Sequence, residues 1–440
     1  MELNMSSQAT PNLRTMEVPD SNASLFRKVA LRLVPFFCIC YFAAYLDRIN
    51  VGLAKLQMVA DLGFSETVYG LGAGLFFIGY ILCEVPSNIL MQKVGARMWI
   101  ARIMVTWGLL SAATMFVKTP TQFYVLRFML GVAEAGFYPG VLLYLTQWFP
   151  SYRRSKVMAS FLIGLPLASM LGSPASGWIL QFSTGLGGLK GWQWLFVIEA
   201  LPSIALGILV LIYLPDTVAS AKWLTDAEKR ELSETLRADG RGHTKHSIGD
   251  AFRSGRVWLL GVIDMCLMMA IYAIGFWLPS LIRESGVQSV STIGLLTAIP
   301  SAVAIVAMYL VGLRSDSRRE RRWHIIVPLL VSAVGLSAST LFQYNTGATV
   351  VLFTVATAGV IAALPAFWCL PGTFLSGTAA AAGIALIASM ANVGGFAATY
   401  LIGWLRDATH SSAAGVLFFA AFLLFGAALV WTLPAHEVNR

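Results

Sequence analysis

Four ionisable residues lie inside long apolar runs, in two pairs. Asp47 and Arg48 stand side by side in Tyr45-Leu46-Asp47-Arg48-Ile49-Asn50, and Arg127 and Glu134 are seven apart in a later run. Charge at membrane depth costs about 2.5–3.5 kcal/mol per residue on insertion scales, so such residues persist only beside a partner or a wet cavity. Seven residues are two helical turns, which puts Arg127 and Glu134 on one face; Tyr45 and Arg48, three apart, also share one. At 1.5 Å per residue, Arg48 lies ~8 Å and Arg127 ~9 Å from the same end of their segments, with Glu134 ~10 Å deeper. The four residues are therefore expected to form one site.

Two acids and two arginines cancel in an empty site. Arginine stays charged, and its planar fork binds a carboxylate through two parallel bonds. Protonating Asp47 or Glu134 leaves positive charge for an incoming anion. Burial and a neighbouring arginine act in opposite senses on a carboxylic acid, which is how its proton affinity is tuned. Arg48 and Arg127 are thus the expected anion ligands, with Tyr45 beside them, and Asp47 and Glu134 the expected proton carriers. The competing reading is a structural ion-pair network. Tyr80, near the middle of the second apolar run, could also donate to a carboxylate. Asp264 lies ~15 Å into the seventh run with no base near it in that run. It is expected to face the cavity, as an auxiliary proton site, an arginine's partner or a neutral buried acid. Glu84 and Glu199 are read as structural.

Composition dictates the frame that must hold these residues. Hydrophobic residues make up 57% of the 440 and charged residues 12%, about half the usual charged share. Mean hydropathy is +0.71. Twelve apolar segments are each long enough to span a bilayer, at 30–53, 67–92, 97–117, 121–148, 156–181, 192–214, 256–281, 291–313, 323–342, 347–370, 379–403 and 413–434. Residues 1–24 are polar and expected to be a disordered tail. The polar stretch 215–253 separates six segments from six, dividing the chain into bundles at 25–214 and 254–440; Thr225 and Glu228 within it form a capping-box pattern that opens a short helix.

The net charge of +9 comes from basic residues in short loops, an orientation signal rather than a nucleic-acid surface. Lys93, Arg97, Arg153, Arg154, Lys156, Arg314, Arg318, Arg319, Arg321 and Arg322 fall on one side; Lys55, Lys118, Lys190, Arg283 and Arg406 fall on the other. The first side is expected to be cytoplasmic, with both termini. The five cysteines all lie in apolar segments without metal-ligand spacing, so neither a metal nor a disulfide framework is expected. No nucleophile elbow or phosphate loop is present to suggest an enzyme or a cofactor. Gly164, Ala168, Gly172 and Ser176, at four-residue spacing, are read as a helix-packing face.

The halves echo each other weakly: Lys93-Val94-Gly95-Ala96-Arg97 follows the second segment and Arg314-Ser315-Asp316-Ser317-Arg318-Arg319 the eighth. Repeated halves around a midplane site mark a transporter. The whole chain after the tail resembles the major facilitator superfamily. Tyr45 to Gly52, Glu84-Val85-Pro86-Ser87-Asn88, Val94 to Arg97, Arg127 through Glu134 to Gly140, Gly191 to Glu199, Leu214-Pro215-Asp216, Lys222 to Thr225 and Glu320-Arg321-Arg322 narrow this to its anion:cation symporter family. Bacterial permeases for tartrate, sugar acids and 4-hydroxyphenylacetate are the nearest in look. The resemblance implies an all-α fold of two six-helix bundles around a central cavity. It also implies proton-coupled uptake of a small carboxylate across a bacterial inner membrane by a monomer, with small organic anion, protons and lipid as the partners. Trp368, in the matching stretch Phe367 to Pro371, walls the pocket or packs. A proton-antiport exporter of the same fold is the alternative. Three positions depart from the pattern: Gln92 replaces the usual acid of the first basic turn, and Leu165 and Ala388 stand where polar residues are common. A substrate with few hydroxyl contacts is therefore expected.

Overall fold

The computed structural model describes residues 23–150, 163–241, 252–371 and 377–439, together with residues 153, 154, 157 and 161. Most of the tail expected at 1–24, and residues 242–251 of the expected linker, lie outside the described residues.

The helices are α1 (Ala23–Leu62), α2 (Glu66–Val94), α3 (Ala96–Ala113), α4 (Pro120–Glu134), α5 (Phe137–Thr146), α6 (Gly164–Phe182), α7 (Gly191–Tyr213), α8 (Asp226–Arg241), α9 (Gly255–Glu284), α10 (Val290–Arg318), α11 (Trp323–Ser339), α12 (Thr346–Cys369), α13 (Gly377–Thr409) and α14 (Ser412–Thr432). With α4 and α5 counted as one broken span, ten of these are long and apolar enough to cross a membrane. The shorter or less apolar α6 and α11 take the other two of the twelve places. Polar caps fix the starts: Ser65, Thr119, Ser289 and Asn345 each accept a backbone N–H of the first turn of α2, α4, α10 and α12. In the linker, Thr225 N donates to Glu228 Oε2 at 2.8 Å and Glu228 N to Thr225 Oγ1 at 3.3 Å, a reciprocal box at the start of α8.

Helices α1–α7 form one six-span set and α9–α14 the other. The sets meet through small residues. Gly70 and Gly74 of α2 lie against Thr399 and Phe396 of α13, and Gly177 of α6 lies against Gly294 of α10. Backbones approach this closely only where no side chain intervenes. Of the four-residue stripe in α6, Gly164 abuts Tyr41 and Gly172 abuts Leu46, so that face packs on α1.

At the α1–α2 end, charged residues tie the sets together. Sequence reasoning placed Lys55 in a loop; it lies instead within α1, 5% exposed. The span continues past it because its ammonium finds Glu66 at 2.6 Å and the Trp277 ring at 3.7 Å. Arg406 of α13 pairs with Glu284 of α9 at 2.5 Å and lies 3.7 Å from Glu66 of α2. At the opposite end, Arg97 Nε lies 3.4 Å from Asp216 Oδ2, and the Arg97 amide donates to Asp216 Oδ1 at 3.0 Å. In the second half Asp316 pairs with Arg321 at 2.5 Å.

Candidate functional site

Glu134 ends α4. The chain leaves helical geometry at Ala135, and Gly136 follows at φ 88°, where a side chain would also strike Ser87. Glycine is required there. The break stops α4 where its last side chain, the Glu134 carboxylate, meets Arg48 of α1 in a buried ion pair.

Arg48 uses its other terminal nitrogen across the molecule. Nη1 donates to the hydroxyl of Tyr272 in α9 at 3.0 Å. Its guanidinium lies 5.0 Å from the Phe76 ring and 5.3 Å from the Tyr80 ring, both of α2. Arg127 reaches the same Phe76 ring at 5.3 Å. Phe76 is thus shared by two guanidiniums, an arrangement the negative face of a ring favours. Arg48 leaves one buried nitrogen, Nε, without a hydrogen-bond partner among the described residues, and Arg127 leaves more. Arg127 is 1% exposed, and its Nε and Nη2 have no hydrogen-bond partner among the described residues.

Asp47 makes its hydrogen bonds away from this group. Its carboxylate accepts from Ser203 Oγ at 2.6 Å, Ser111 Oγ at 2.9 Å and Trp107 Nε1 at 3.1 Å, all on α3 and α7. Arg48 and Arg127 meet at Phe76 with Glu134 paired to Arg48, while Asp47 takes its hydrogen bonds from α3 and α7 and stays in electrostatic range of Glu134 and Arg127. The reason is geometric, since neighbours in a helix point about 100° apart.

Tyr45 lines a cavity between the two halves with Ile49, Leu165, Pro166, Ser169, Ile271, Ile274, Gly275, Ser301, Thr357, Val360 and Ile361. Aliphatic residues dominate this wall, Leu165 among them. Trp368 packs edge-on against Phe367 at 5.6 Å. It lies ~10 Å further along α12 than Ile361, outside the residues that line the cavity. Asp264 is fully buried in α9, and neither carboxylate oxygen has a hydrogen-bond partner among the described residues. Glu199 is held by Ser176. Glu84, read from the sequence as a structural acid, accepts from Ser389 Oγ of α13 at 3.2 Å and so spans the two halves.

Three participants escaped sequence reasoning. Tyr272 carried no signal beyond a hydroxyl in an apolar helix. Lys55 and Arg406 were counted as loop cations, though Lys55 sits well inside a continuous helical pattern.

A sequence profile of the Major Facilitator Superfamily matches residues 37–399. A Pseudomonas putida protein named "Putative metabolite transport protein NicT" is 54% identical over 96% of this chain and 98% of its own length. An Agrobacterium vitis protein named "Putative tartrate transporter" is 45% identical, covering 94% and 92%. An Acinetobacter baumannii "Quinolone resistance transporter" is 40% identical, covering 94% and 96%. Among solved structures, that of a D-xylose–proton symporter superposes with a TM-score of 0.73 at 15% identity, covering 93% of this chain and 99% of that one, a likeness of fold.

Proposed function

Because the chain belongs to the major facilitator superfamily and is a multi-pass membrane transporter of a small molecule, we propose that its cargo is a small organic anion taken up together with protons by alternating access. One observation carries this reading. Two guanidiniums share the Phe76 ring while one carboxylate, Glu134, hydrogen-bonds only Arg48, so two buried nitrogens of Arg127 have no acceptor among the described residues. A buried donor without an acceptor costs about 1–3 kcal/mol, more when charged. A carboxylate ligand removes that cost by accepting from Arg127.

The remaining residues supply the coupling. The anion competes with Glu134 for Arg48, and a proton on Glu134 breaks the existing ion pair in the anion's favour. Proton and anion therefore stabilise each other's bound state, which is the thermodynamic requirement for symport. Asp47, satisfied by three neutral donors, holds α1 against α3 and α7 and orients Arg48. Tyr45 and Tyr80 complete the polar surroundings. The aliphatic wall at Leu165, Ile271 and Val360 favours an anion with few hydroxyls, an aromatic monocarboxylate or a short diacid. The relative named for tartrate accords with the second. On this reading both termini lie on the cytoplasmic side of a bacterial inner membrane, which the positive charge of the short loops favours, and the single chain is the transporting unit.

The relative named for quinolone resistance favours the other reading, proton-antiport export. Proteoliposomes separate the two. Under symport, an acid-outside gradient accumulates labelled tartrate or 4-hydroxyphenylacetate; under antiport, that gradient depletes the lumen of cargo. Lack of accumulation for every carboxylate in a panel of tartrate, gluconate and 4-hydroxyphenylacetate removes the anion reading.

A further inference from the structure

Five carboxylates are buried in the described spans, and four have donors. Asp47 has Ser111, Ser203 and Trp107; Glu84 has Ser389; Glu134 has Arg48; Glu199 has Ser176. Asp264 has none among the described residues, and its relative exposure is 0%. An isolated charge in such a place is untenable, because nothing replaces the water it loses. In this conformation Asp264 therefore carries a proton.

Its position gives that proton a use. Asp264 lies seven residues before Ile271 and eleven before Gly275, on the same stripe of α9, and those two residues line the cavity between the halves. Gly275 also abuts Gly52 of α1. The titratable groups in electrostatic range are Tyr138, from α5 in the other half, and Cys266 and Tyr272 on its own helix. On its α13 side α9 meets Met390 and Gly394. Helix α14 has no titratable residue, and the charged residues of α10 and α13 sit at helix ends, at Arg314, Asp316, Arg318, Arg406 and Asp407. Arg48 of α1 is engaged by Glu134 and Tyr272. Among the described residues no cation compensates Asp264, and one titratable neighbour, Tyr138, belongs to the other half, across the interface that alternating access must rearrange.

We propose that Asp264 is a second proton-binding residue, in the half opposite Glu134, which binds its proton in this conformation and releases it in the alternative one. Resting on the symport reading above, this gives two protons per anion: one on Glu134, coupled directly to the anion through Arg48, and one on Asp264, coupled through the change of conformation. No bond other than O–H forms or breaks. A monocarboxylate moved with two protons carries net positive charge inward, so the membrane potential drives its uptake. A dianion moved with two protons is electroneutral.

Two measurements on the full-length protein test this. Infrared difference spectra of the purified protein, titrated without substrate, should show a protonated-carboxyl band that disappears as pH rises and is absent from Asp264→Asn. Superimposable titrations of wild type and variant would mean that Asp264 never exchanges its proton, and would overturn the proposal. In reconstituted vesicles containing a trapped pH dye, protons entering per labelled tartrate should fall from two to one in Asp264→Asn. An unchanged ratio overturns it equally. Asn matches the neutral acid in shape, and if the variant does not transport, the infrared result decides. Failure of wild type to carry tartrate or any other carboxylate would refute the symport reading, while the infrared titration would still decide whether Asp264 exchanges its proton.

Discussion

Arg48 of α1 and Tyr272 of α9 are 224 residues apart and joined by a 3.0 Å hydrogen bond. The bond runs from one half of the molecule to the other through the residue that also pairs with Glu134. Any event that draws Arg48 toward a new acceptor therefore acts on the contact between the halves. Tyr272→Phe should leave Arg48 Nη1 without a partner and lower the melting temperature of the purified protein, at a cost of about 1–3 kcal/mol. A carboxylate that fills the vacancy should stabilise the variant more than wild type. Equal melting temperatures and equal ligand-induced shifts would show that the bond does not contribute.

Arg127→Lys keeps the charge and loses the planar fork. With those two donor nitrogens gone, anion affinity should drop by roughly ten- to a hundredfold while the protein still folds and inserts. Uptake kinetics normalised to expression provide the check. Near-normal uptake removes Arg127 from the anion site.

The ionic cluster at the α1–α2 end should act as a latch. Glu66 and Lys55 belong to one half and Arg406 and Glu284 to the other, with Arg406 3.7 Å from Glu66 and 2.5 Å from Glu284. Lys55 and Arg406 also face one tryptophan, at 3.7 Å and 5.3 Å from the Trp277 ring. Partly exposed pairs contribute about 0.2–1 kcal/mol each, so Arg406→Gln should shift the conformational balance several-fold and no more. A cysteine introduced at Ile49, which lines the cavity, should be labelled several-fold faster by a membrane-impermeant thiol reagent added from the α1–α2 side. An unchanged labelling rate rules the latch out.

Outside the membrane, Lys28 donates to Glu228 at 2.8 Å and, with the Thr225 amide, holds that carboxyl below the usual glutamate range. A depressed folded-state pKa contributes order above the unfolded value and loses it as pH falls through the folded one. Amide exchange at the start of α8 should therefore quicken below the ordinary glutamate range, at constant intrinsic rate, in wild type but not in Glu228→Gln. Parallel profiles in the two proteins would contradict the tie.

Much of this was legible in the residues, for identifiable reasons. Spans of about twenty apolar residues are hard to mistake, so the apolar segments fall where the helices do. Thr225 and Glu228 announce their box because it is local. Gly136 and Pro139, just past Glu134, already marked the interruption in α4–α5, although the sequence reading drew one unbroken span. Adjacency in sequence did not show that Asp47, which a helix turns about 100° away from Arg48, takes its hydrogen bonds from Ser111, Ser203 and Trp107. Lys55 misled because a charge suggests the end of a span, whereas Glu66 and the Trp277 ring let the helix carry it inside. Tyr272 and Asp216 were silent as partners because each is set by a contact far along the chain, with Arg48 and Arg97. Long-range pairing leaves no periodic trace.

The central claim is that the proton on Glu134 and the anion on the arginines share Arg48. Glu134→Gln reports on it most directly, since glutamine imitates the protonated acid and cannot give up a proton. In proteoliposomes the variant should exchange internal for external carboxylate at a rate comparable with wild type, and should fail to accumulate it under an acid-outside gradient. Accumulation by Glu134→Gln equal to that of wild type under the same gradient would contradict the account.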